Sequence, residues 1–178
     1  EVRIINADKS GAGEIITRGD NVMLGYFEDE EATRKSIVDG WFHTGDLGRI
    51  DDDGFVHILG RIKNVIVTKN GKNIYPEEIE ALLDKVPYIK ESIVYGKMEE
   101  GDSDVTVAAA IVPDLETFET ENDGRTPTEE EIYQTILKEV KAINKNLVTY
   151  KYIKDIQIRE TEFAKTTTKK IKRYAEKL

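Results

Sequence analysis

The chain has 178 residues, with 26 Lys and Arg against 35 Asp and Glu, and a formal charge of −9. Hydrophobic residues make up 39%, enough for one ordinary domain or two small ones with a modest core. The sequence contains no cysteine, which excludes a disulfide scaffold, Cys-ligated zinc and thiol chemistry, and no apolar run approaches the roughly 20 residues of a membrane helix. Because the chain starts at Glu1 without Met or a secretory signal, we expect a piece of a larger protein.

The charge is unevenly distributed along the chain. Residues 138–178 hold 12 basic and 5 acidic side chains, whereas residues 1–137 hold 14 and 30. Basic tails often bind nucleic acid, but here Ile and Tyr separate the charges, and the acidic remainder of the chain would repel a polyphosphate backbone. The pattern favours a solvated basic helix and strand edge or a site for one small anionic ligand. No nucleic-acid binding is expected.

The amino-terminal part is predicted to form short strands separated by turns. A strand is expected at 14–18, a second apolar stretch covers 21–27, and one short helix fits 29–38. Residues 45–50 and 55–60 flank an Asp-Gly turn, which is typical of a β-hairpin.

The remainder alternates strand and helix patterns. Residues 64–68 and 72–75 flank a three-residue loop that ends in Gly71, which predicts a second hairpin. The further predictions are a helix from Pro76, strands at 92–97 and 105–112, a polar loop over 114–127, a helix from Thr128 with capping-box spacing, a strand at 153–158 and a closing helix over 170–178.

The predicted fold class is therefore α+β. Residues 1–60 are interpreted as the β-rich end of a large N-terminal domain, because so few strands would leave sheet edges exposed. Residues 61–178 are predicted to form a small C-terminal α+β domain with the order β-β-α-β-β-α-β.

Four segments contain motifs that indicate a function. They are GEII at 13–16 through GYF at 25–27, GWFHTGDLG at 40–48 with DGF at 53–55, GRIKNVIV at 60–67 with NGKNIYPEEIE at 70–80, and KTTTKKIKR at 165–173. In this order and spacing they resemble the C-terminal part of adenylate-forming enzymes, which include acyl-CoA synthetases, peptide-synthetase adenylation domains and luciferases. The third segment most resembles long-chain fatty-acyl-CoA ligases.

The resemblance implies an AMP-forming fatty-acid–CoA ligase. A carboxylate attacks the α-phosphate of Mg·ATP to give acyl-AMP and pyrophosphate, and the CoA thiol then attacks the acyl carbon and expels AMP. The small domain rotates between these half-reactions. ATP, CoA and a fatty acid are the expected partners, with the Mg²⁺ ligands, phosphate loop and acyl pocket in the N-terminal part, so the isolated chain is expected to be inactive. The expected location is cytoplasmic, with any membrane contact peripheral and at the inner face.

Asp46, Arg61 and Lys63 are the first candidate site residues. A carboxylate between glycines can accept hydrogen bonds from two adjacent hydroxyls, and the resemblance places Asp46 on the ribose of ATP and of the acyl-adenylate. It assigns Arg61 to the nucleotide and Lys63 to the hinge. The alternatives are a turn-stabilising Asp, an Arg in a surface ion pair and a surface Lys at a domain border.

Lys170 matches the catalytic lysine of the family, whose ammonium offsets charge that develops on the α-phosphate and the carboxylate. The sequence departs from the family pattern, because Lys169 replaces the usual Gly and Ala164 the usual Pro. Lys169 therefore remains the alternative catalytic lysine, and a solvated tail lysine is the alternative without the resemblance.

Gly71 and Lys72 match the hairpin that the family presents to the pantetheine tunnel in the thioester-forming conformation. Glycine permits close backbone approach, although a hairpin turn alone also explains Gly71. His43 and His57 are placed on different strands without carboxylate spacing and receive no role. No metal ligands are assigned within this chain.

Two other functions fit the same motifs. One is a peptide-synthetase adenylation domain that delivers its product to a carrier protein. The other is a non-catalytic interaction domain of the same fold, with its basic tail bound to an acidic partner. The presence of Asp46, Arg61 and Lys170 argues against the second.

Overall fold

The computed structural model describes residues 1–98, 101 and 103–176. The chain forms two compact units, Glu1–Val65 and Ile66–Leu178. The interpretation of the first unit as the end of a larger domain, and of the second as a mobile domain, stays a prediction. In the described part of the chain, no helix combines the length and apolar character that a membrane span requires.

The first unit is built on a five-stranded antiparallel sheet. The strand order is β1-β2-β4-β3, and β5 also pairs with β4. The predicted hairpin is present, with its turn at Asp51–Gly54 closed by a hydrogen bond from the Gly54 N–H to the Asp51 carbonyl. The elements are β1 (Val2–Ile5), β2 (Gly13–Thr17), α1 (Glu30–Ser36), β3 (Ile37–Val38), β4 (Trp41–Ile50) and β5 (Val56–Arg61).

The apolar stretch at 21–27 does not form a strand. Leu24 and Phe27 are fully or almost fully exposed, so their side chains have no sheet face to cover. The Tyr26 N–H donates to the Thr33 hydroxyl of α1 at 2.8 Å instead of to a neighbouring strand. The stretch therefore leads into the helix, which begins after its Asp29 cap.

The second unit confirms the α+β class. Its main sheet has the order β10-β9-β8, with β8 antiparallel and β10 parallel to β9, and a separate β6-β7 hairpin precedes it. The elements are β6 (Ile66–Val67), β7 (Asn73–Ile74), α2 (Pro76–Leu83), β8 (Ile89–Lys97), β9 (Thr106–Pro113), α3 (Leu115–Glu121), α4 (Glu129–Asn144) and β10 (Asp155–Ile158).

Both faces of the three-stranded sheet are covered, as the near-continuous apolar sequence of β9 predicts. On β9, Ala109 and Ile111 pack with the buried residues of α2 and α4, whereas Ala110 and Val112 pack with Phe163 and Ile171 from the segment after β10. Period-two alternation along the strand thus produces two apolar clusters.

Two predicted elements of this unit are corrected. The polar loop over 114–127 contains α3, which begins at its Asp114 cap and buries Phe118 against Tyr88 with ring centroids 4.9 Å apart. One apolar anchor in a short acidic helix is too weak a pattern to predict it. The closing helix over 170–178 is a single 3₁₀ turn at Arg173–Ala175, since the Lys172 N–H bonds back to the Ala164 carbonyl, and residues 177 and 178 lie outside the described part.

Candidate functional site

Asp46 is presented by a bulge in β4. Ile16 pairs with His43 and Glu14 with Leu47, so three residues of β4 face one residue of β2. Gly45 lies in this bulge at φ +69°, a left-handed conformation in which other residues are strained. In the Gly-Asp dipeptide of the motif, the backbone conformation of the bulge therefore accounts for Gly45, and the carboxylate accounts for Asp46.

Asp46 and Arg61 pair directly across β4 and β5. They are partners in the strand register, and the Arg61 guanidinium donates to the Asp46 carboxylate at 2.5 Å. Arg61 also donates to the Thr44 carbonyl at 3.3 Å. The Arg61 side chain is 57% exposed and that of Asp46 31%, so both groups remain accessible to a polar ligand.

Side chains behind the bulge supply hydrogen bonds that the strand ladder does not. The Thr44 hydroxyl donates to the Ile15 carbonyl at 2.7 Å and accepts the Asp46 N–H at 3.0 Å. The half-buried Glu14 carboxylate accepts the Gly45 N–H at 3.2 Å and contacts His43 Nδ1 at 3.1 Å. The sequence alone did not indicate these supporting roles, although GEII and HTGD are the motif segments that meet here.

Lys63 lies in a single 3₁₀ turn, Ile62–Asn64, just before the division between the two compact units. Its side chain is exposed. This position, in a short connecting turn, is consistent with the hinge prediction, which stays a prediction.

Gly71 closes the β6-β7 hairpin at φ +69°, and its N–H donates to the Thr68 carbonyl at 2.8 Å. A Cβ at this position would meet nothing within 4 Å, so the backbone conformation rather than crowding favours glycine. Lys72 is exposed beside it, and its N–H donates to the Thr68 hydroxyl at 3.0 Å. The loop therefore exposes both backbone and a cation.

Lys170 stands at the end of a tight loop. Lys165 and Ile171 form an isolated antiparallel bridge, and Thr166 and Lys170 bond to each other through the Thr166 N–H at 2.8 Å and the Thr166 hydroxyl at 3.1 Å. Lys169 adopts φ +62°, the left-handed region that favours glycine. The residue that replaces the family's usual glycine thus has a conformation suited to glycine.

The segment around Lys170 is held to the sheet by ion pairs as well as by Phe163 and Ile171. Lys165 pairs with the buried Glu91, and Arg159 with Glu176 at 2.6 Å. Arg173 pairs with Glu80 and donates to the Val94 carbonyl at 3.0 Å.

The carboxyl groups of Glu80, Glu162 and Glu176 in this region have shifted pKa values. Burial raises the pKa of Glu80, and the neighbouring Arg173 guanidinium opposes that shift. Hydrogen bonds from Lys165 and Lys90 hold the pKa of the exposed Glu162 at about 2. Glu162 therefore stays ionised at neutral pH.

The two histidines each face a carboxylate, which the spacing did not predict. His57 Nε2 lies 2.6 Å from an Asp51 carboxylate oxygen, and His43 contacts Glu14. Among the residues that the structure describes, no three His, Asp or Glu side chains converge as a metal site.

The structure thus brings Asp46 and Arg61 together in the first unit, with Lys63 in the turn that follows. Gly71, Lys72 and Lys170 belong to two separate loops of the second unit. The candidate residues therefore form two sets, one within each unit.

Comparisons with known proteins agree with the motifs. Residues 78–170 match the AMP-binding enzyme C-terminal domain. The chain is 48% identical over 99 residues to a 2-succinylbenzoate–CoA ligase of Bacillus cytotoxicus, which covers 56% of this chain and 20% of that protein. It is 44% identical over 107 residues to a long-chain-fatty-acid–CoA ligase of Mycobacterium tuberculosis, which covers 60% of this chain and 17% of that protein.

The fold is similar to that of a solved acyl-CoA synthetase. The o-succinylbenzoate CoA synthetase of Bacillus subtilis, in complex with its acyl-adenylate intermediate, superposes with a TM-score of 0.74 at 27% identity. The match covers 98% of this chain and 33% of that one, so the chain spans about a third of this structure and about a fifth of the curated relatives above. The chain belongs to the family of adenylate-forming, AMP-binding enzymes and contains their C-terminal domain.

Proposed function

We propose that this chain is the C-terminal part of an AMP-forming acid–CoA ligase. The observation that carries the proposal is the exposed Asp46–Arg61 pair, presented by a bulge of β4 in a chain whose second unit matches the AMP-binding C-terminal domain. A carboxylate that accepts two adjacent hydroxyls and a guanidinium beside it suit the ribose of ATP and of the acyl-adenylate. Both side chains are accessible for that contact.

In the first half-reaction, Lys170 is the proposed catalytic cation. Its ammonium would offset the charge that develops at the α-phosphate while the carboxylate attacks. The left-handed conformation of Lys169 supports this assignment, because it makes Lys169 the counterpart of the family's glycine and Lys170 the counterpart of its lysine. Lys169 is the alternative if this assignment of positions is wrong.

In the second half-reaction, the β6-β7 hairpin would face CoA. Gly71 leaves its backbone open to close approach, and Lys72 offers a positive charge beside it. Lys63 is the proposed pivot for the exchange between the two conformations, because a hinge absorbs its torsional change in a few residues of a short connection. Mg²⁺ would accompany ATP and help to neutralise its phosphates.

A fatty acid is the proposed acyl substrate. The sequence of residues 64–80 supports a fatty acid, as does the likeness of the chain to a long-chain-fatty-acid–CoA ligase. The 2-succinylbenzoate–CoA ligase is at least as similar to this chain, so an aromatic acid is the competing substrate class.

The deciding experiment uses the full-length enzyme that contains this chain, with ATP, CoA and a mixed pool of fatty and aromatic acids. Mass spectrometry of the products should show AMP and a fatty acyl-CoA. An aromatic acyl-CoA would overturn the substrate but keep the reaction. Formation of acyl-AMP that is transferred only to a carrier protein would favour a peptide-synthetase adenylation domain. No adenylate with any acid would contradict the proposed reaction.

A further inference from the structure

The bulge that presents Asp46 is irregular in a way that creates a problem of backbone hydrogen bonding. Three residues of β4 face only Ile15 of β2, so the strand ladder cannot satisfy every N–H in between. Backbone donors at a partly buried strand need partners, because an unpaired buried N–H costs as much as a lost hydrogen bond. The N–H groups of Gly45 and Asp46 find theirs in side chains.

Thr44 makes three of the contacts that fix this bulge. Its hydroxyl donates to the Ile15 carbonyl at 2.7 Å and accepts the Asp46 N–H at 3.0 Å, and its carbonyl accepts from Arg61 at 3.3 Å. One residue is thus bonded to the neighbouring strand, to the backbone of Asp46 and to the cation that pairs with Asp46. A change at Thr44 therefore affects the backbone of Asp46 directly, since only Gly45 separates the two residues in the chain.

Glu14 fixes the other side of the same bulge. Its carboxylate, with the side chain 15% exposed, accepts the Gly45 N–H at 3.2 Å through one oxygen and contacts His43 Nδ1 at 3.1 Å through the other. Because glycine has no Cβ, Gly45 is not held at its φ of +69° by its own side chain. The hydrogen bond from its N–H to Glu14 supplies that restraint. Within residues 43–46, the Glu14 carboxylate therefore contacts His43 and Gly45, and the Thr44 hydroxyl bonds to the backbone of Asp46.

We propose that Thr44 and Glu14 are positioning residues for the nucleotide, which set the place of the Asp46 carboxylate so that it discriminates ribose from deoxyribose. This inference rests on the proposed function, in which Asp46 accepts the ribose hydroxyls. Hydrogen bonds to two adjacent hydroxyls require an oxygen placed within a few tenths of an ångström, since hydrogen bonds weaken steeply away from their preferred geometry. Neither residue needs to touch the nucleotide.

The test compares matched variants of the full-length enzyme with ATP, 2′-deoxy-ATP and 3′-deoxy-ATP. Thr44→Val keeps the shape of the side chain and removes the hydroxyl, whereas Thr44→Ser keeps the hydroxyl. We expect Thr44→Val to raise KM for ATP by about 5- to 10-fold with a smaller change in kcat, and to reduce the preference for ATP over the deoxy analogues by a similar factor. Thr44→Ser should restore the preference.

Glu14→Met and Glu14→Gln form the second pair, which decides the question if Thr44→Val does not fold. Met removes both acceptors, and Gln retains one oxygen for the Gly45 N–H. Thr17→Val is the control for a general effect on the sheet. Thr17 lies on β2 opposite Phe42 of β4, away from the bulge. A loss of activity from a weaker fold would affect ATP and its deoxy analogues equally, so the preference ratio separates positioning from stability.

The outcomes for the two proposals differ. If the wild-type enzyme prefers ATP and both Thr44→Val and Glu14→Met keep that preference, the positioning inference is overturned while the ribose contact stands. If the wild-type enzyme accepts the deoxy analogues as well as ATP, the ribose contact of Asp46 itself is wrong.

Discussion

Arg173 and Glu80 form an ion pair between segments 93 residues apart in the sequence. Their side chains are 24% and 15% exposed, and both also bond to the backbone of Val94 on β8, at 3.0 Å from Arg173 and 2.6 Å to Glu80. Arg173, three residues after Lys170, is therefore bonded both to α2 and to the three-stranded sheet of the second unit. The contribution of this ion pair to the free energy of unfolding can be measured directly.

Removal of Glu80 should destabilise the second unit. Glu80→Ala leaves the Arg173 guanidinium half-buried without its partner, and we expect a loss of about 1–3 kcal/mol in the free energy of unfolding. Asp155→Ala is the control, because the Lys97–Asp155 pair is 39% and 45% exposed and such pairs contribute at most about 1 kcal/mol. Urea denaturation followed by circular dichroism measures both. Equal losses would mean that the Glu80 pair behaves as a surface pair.

Lys170→Ala should abolish most acyl-AMP formation in the full-length enzyme and spare the conversion of a supplied acyl-adenylate to thioester. Loss of a preorganised charge contact in the transition state costs about 10²–10³ in rate. Lys169→Ala is the matched control, one residue away. Single-turnover assays of each half-reaction give the result, and a selective loss with Lys169→Ala would instead make Lys169 the catalytic residue.

Lys169→Gly gives an independent check of the same assignment of positions. Because Lys169 adopts φ +62°, glycine at this position removes strain, and we expect equal or higher thermal stability with adenylation retained. A large loss of adenylation in this variant would contradict the assignment of the catalytic role to Lys170.

Lys63→Pro should impair the exchange between conformations rather than folding. Proline fixes φ near about −65°, and a hinge must absorb large torsional changes. We expect adenylation to be less affected than thioester formation, with the melting temperature close to that of the wild type. Lys63→Ala, which leaves the backbone free, serves as the control. Full overall turnover by Lys63→Pro would make Lys63 an ordinary residue of the connecting turn.

The start of α4 should lose stability in acid. Hydrogen bonds from Arg125 and Thr128 hold the pKa of Glu131 at about 2, below its usual 4.5. The carboxylate thus stabilises the folded state above pH 4.5, and this contribution is lost as the pH falls towards 2. The difference in unfolding midpoint between wild type and Glu131→Gln should be largest at neutral pH and vanish near pH 2.

Glu129→Gln provides the comparison for that acid titration. It lies in the same first turn of α4 but outside the capping box that Thr128 and Glu131 form. Urea midpoints at several pH values should show a smaller, flatter difference for Glu129→Gln. A pH-independent difference for Glu131→Gln would mean that the ion pair with Arg125 does not control its titration.

Local sequence determined much of the architecture. The capping-box spacing from Thr128 and the apolar positions after it defined α4, and the structure confirms both the box and the buried face. The Asp-Gly turn and its flanking apolar residues defined the β4-β5 hairpin, which is also present. Each of these signals lies within a few residues of the element that it specifies, so the sequence contains it directly. The likeness of four short segments to one family, which the comparisons confirm, likewise needed no structure.

The contacts that position the site depend on tertiary structure. The bond from Gly45 to Glu14 joins residues 31 apart, and the pair of Arg173 with Glu80 joins residues 93 apart, so no local pattern specifies either partner. The positive φ of Lys169 is likewise unexpected from its residue type and follows from the loop closed between Thr166 and Lys170. Residue types and their spacing thus determined which groups are available for chemistry. Only the folded chain decided their orientation, because strand register and packing choose among partners that the sequence leaves equivalent.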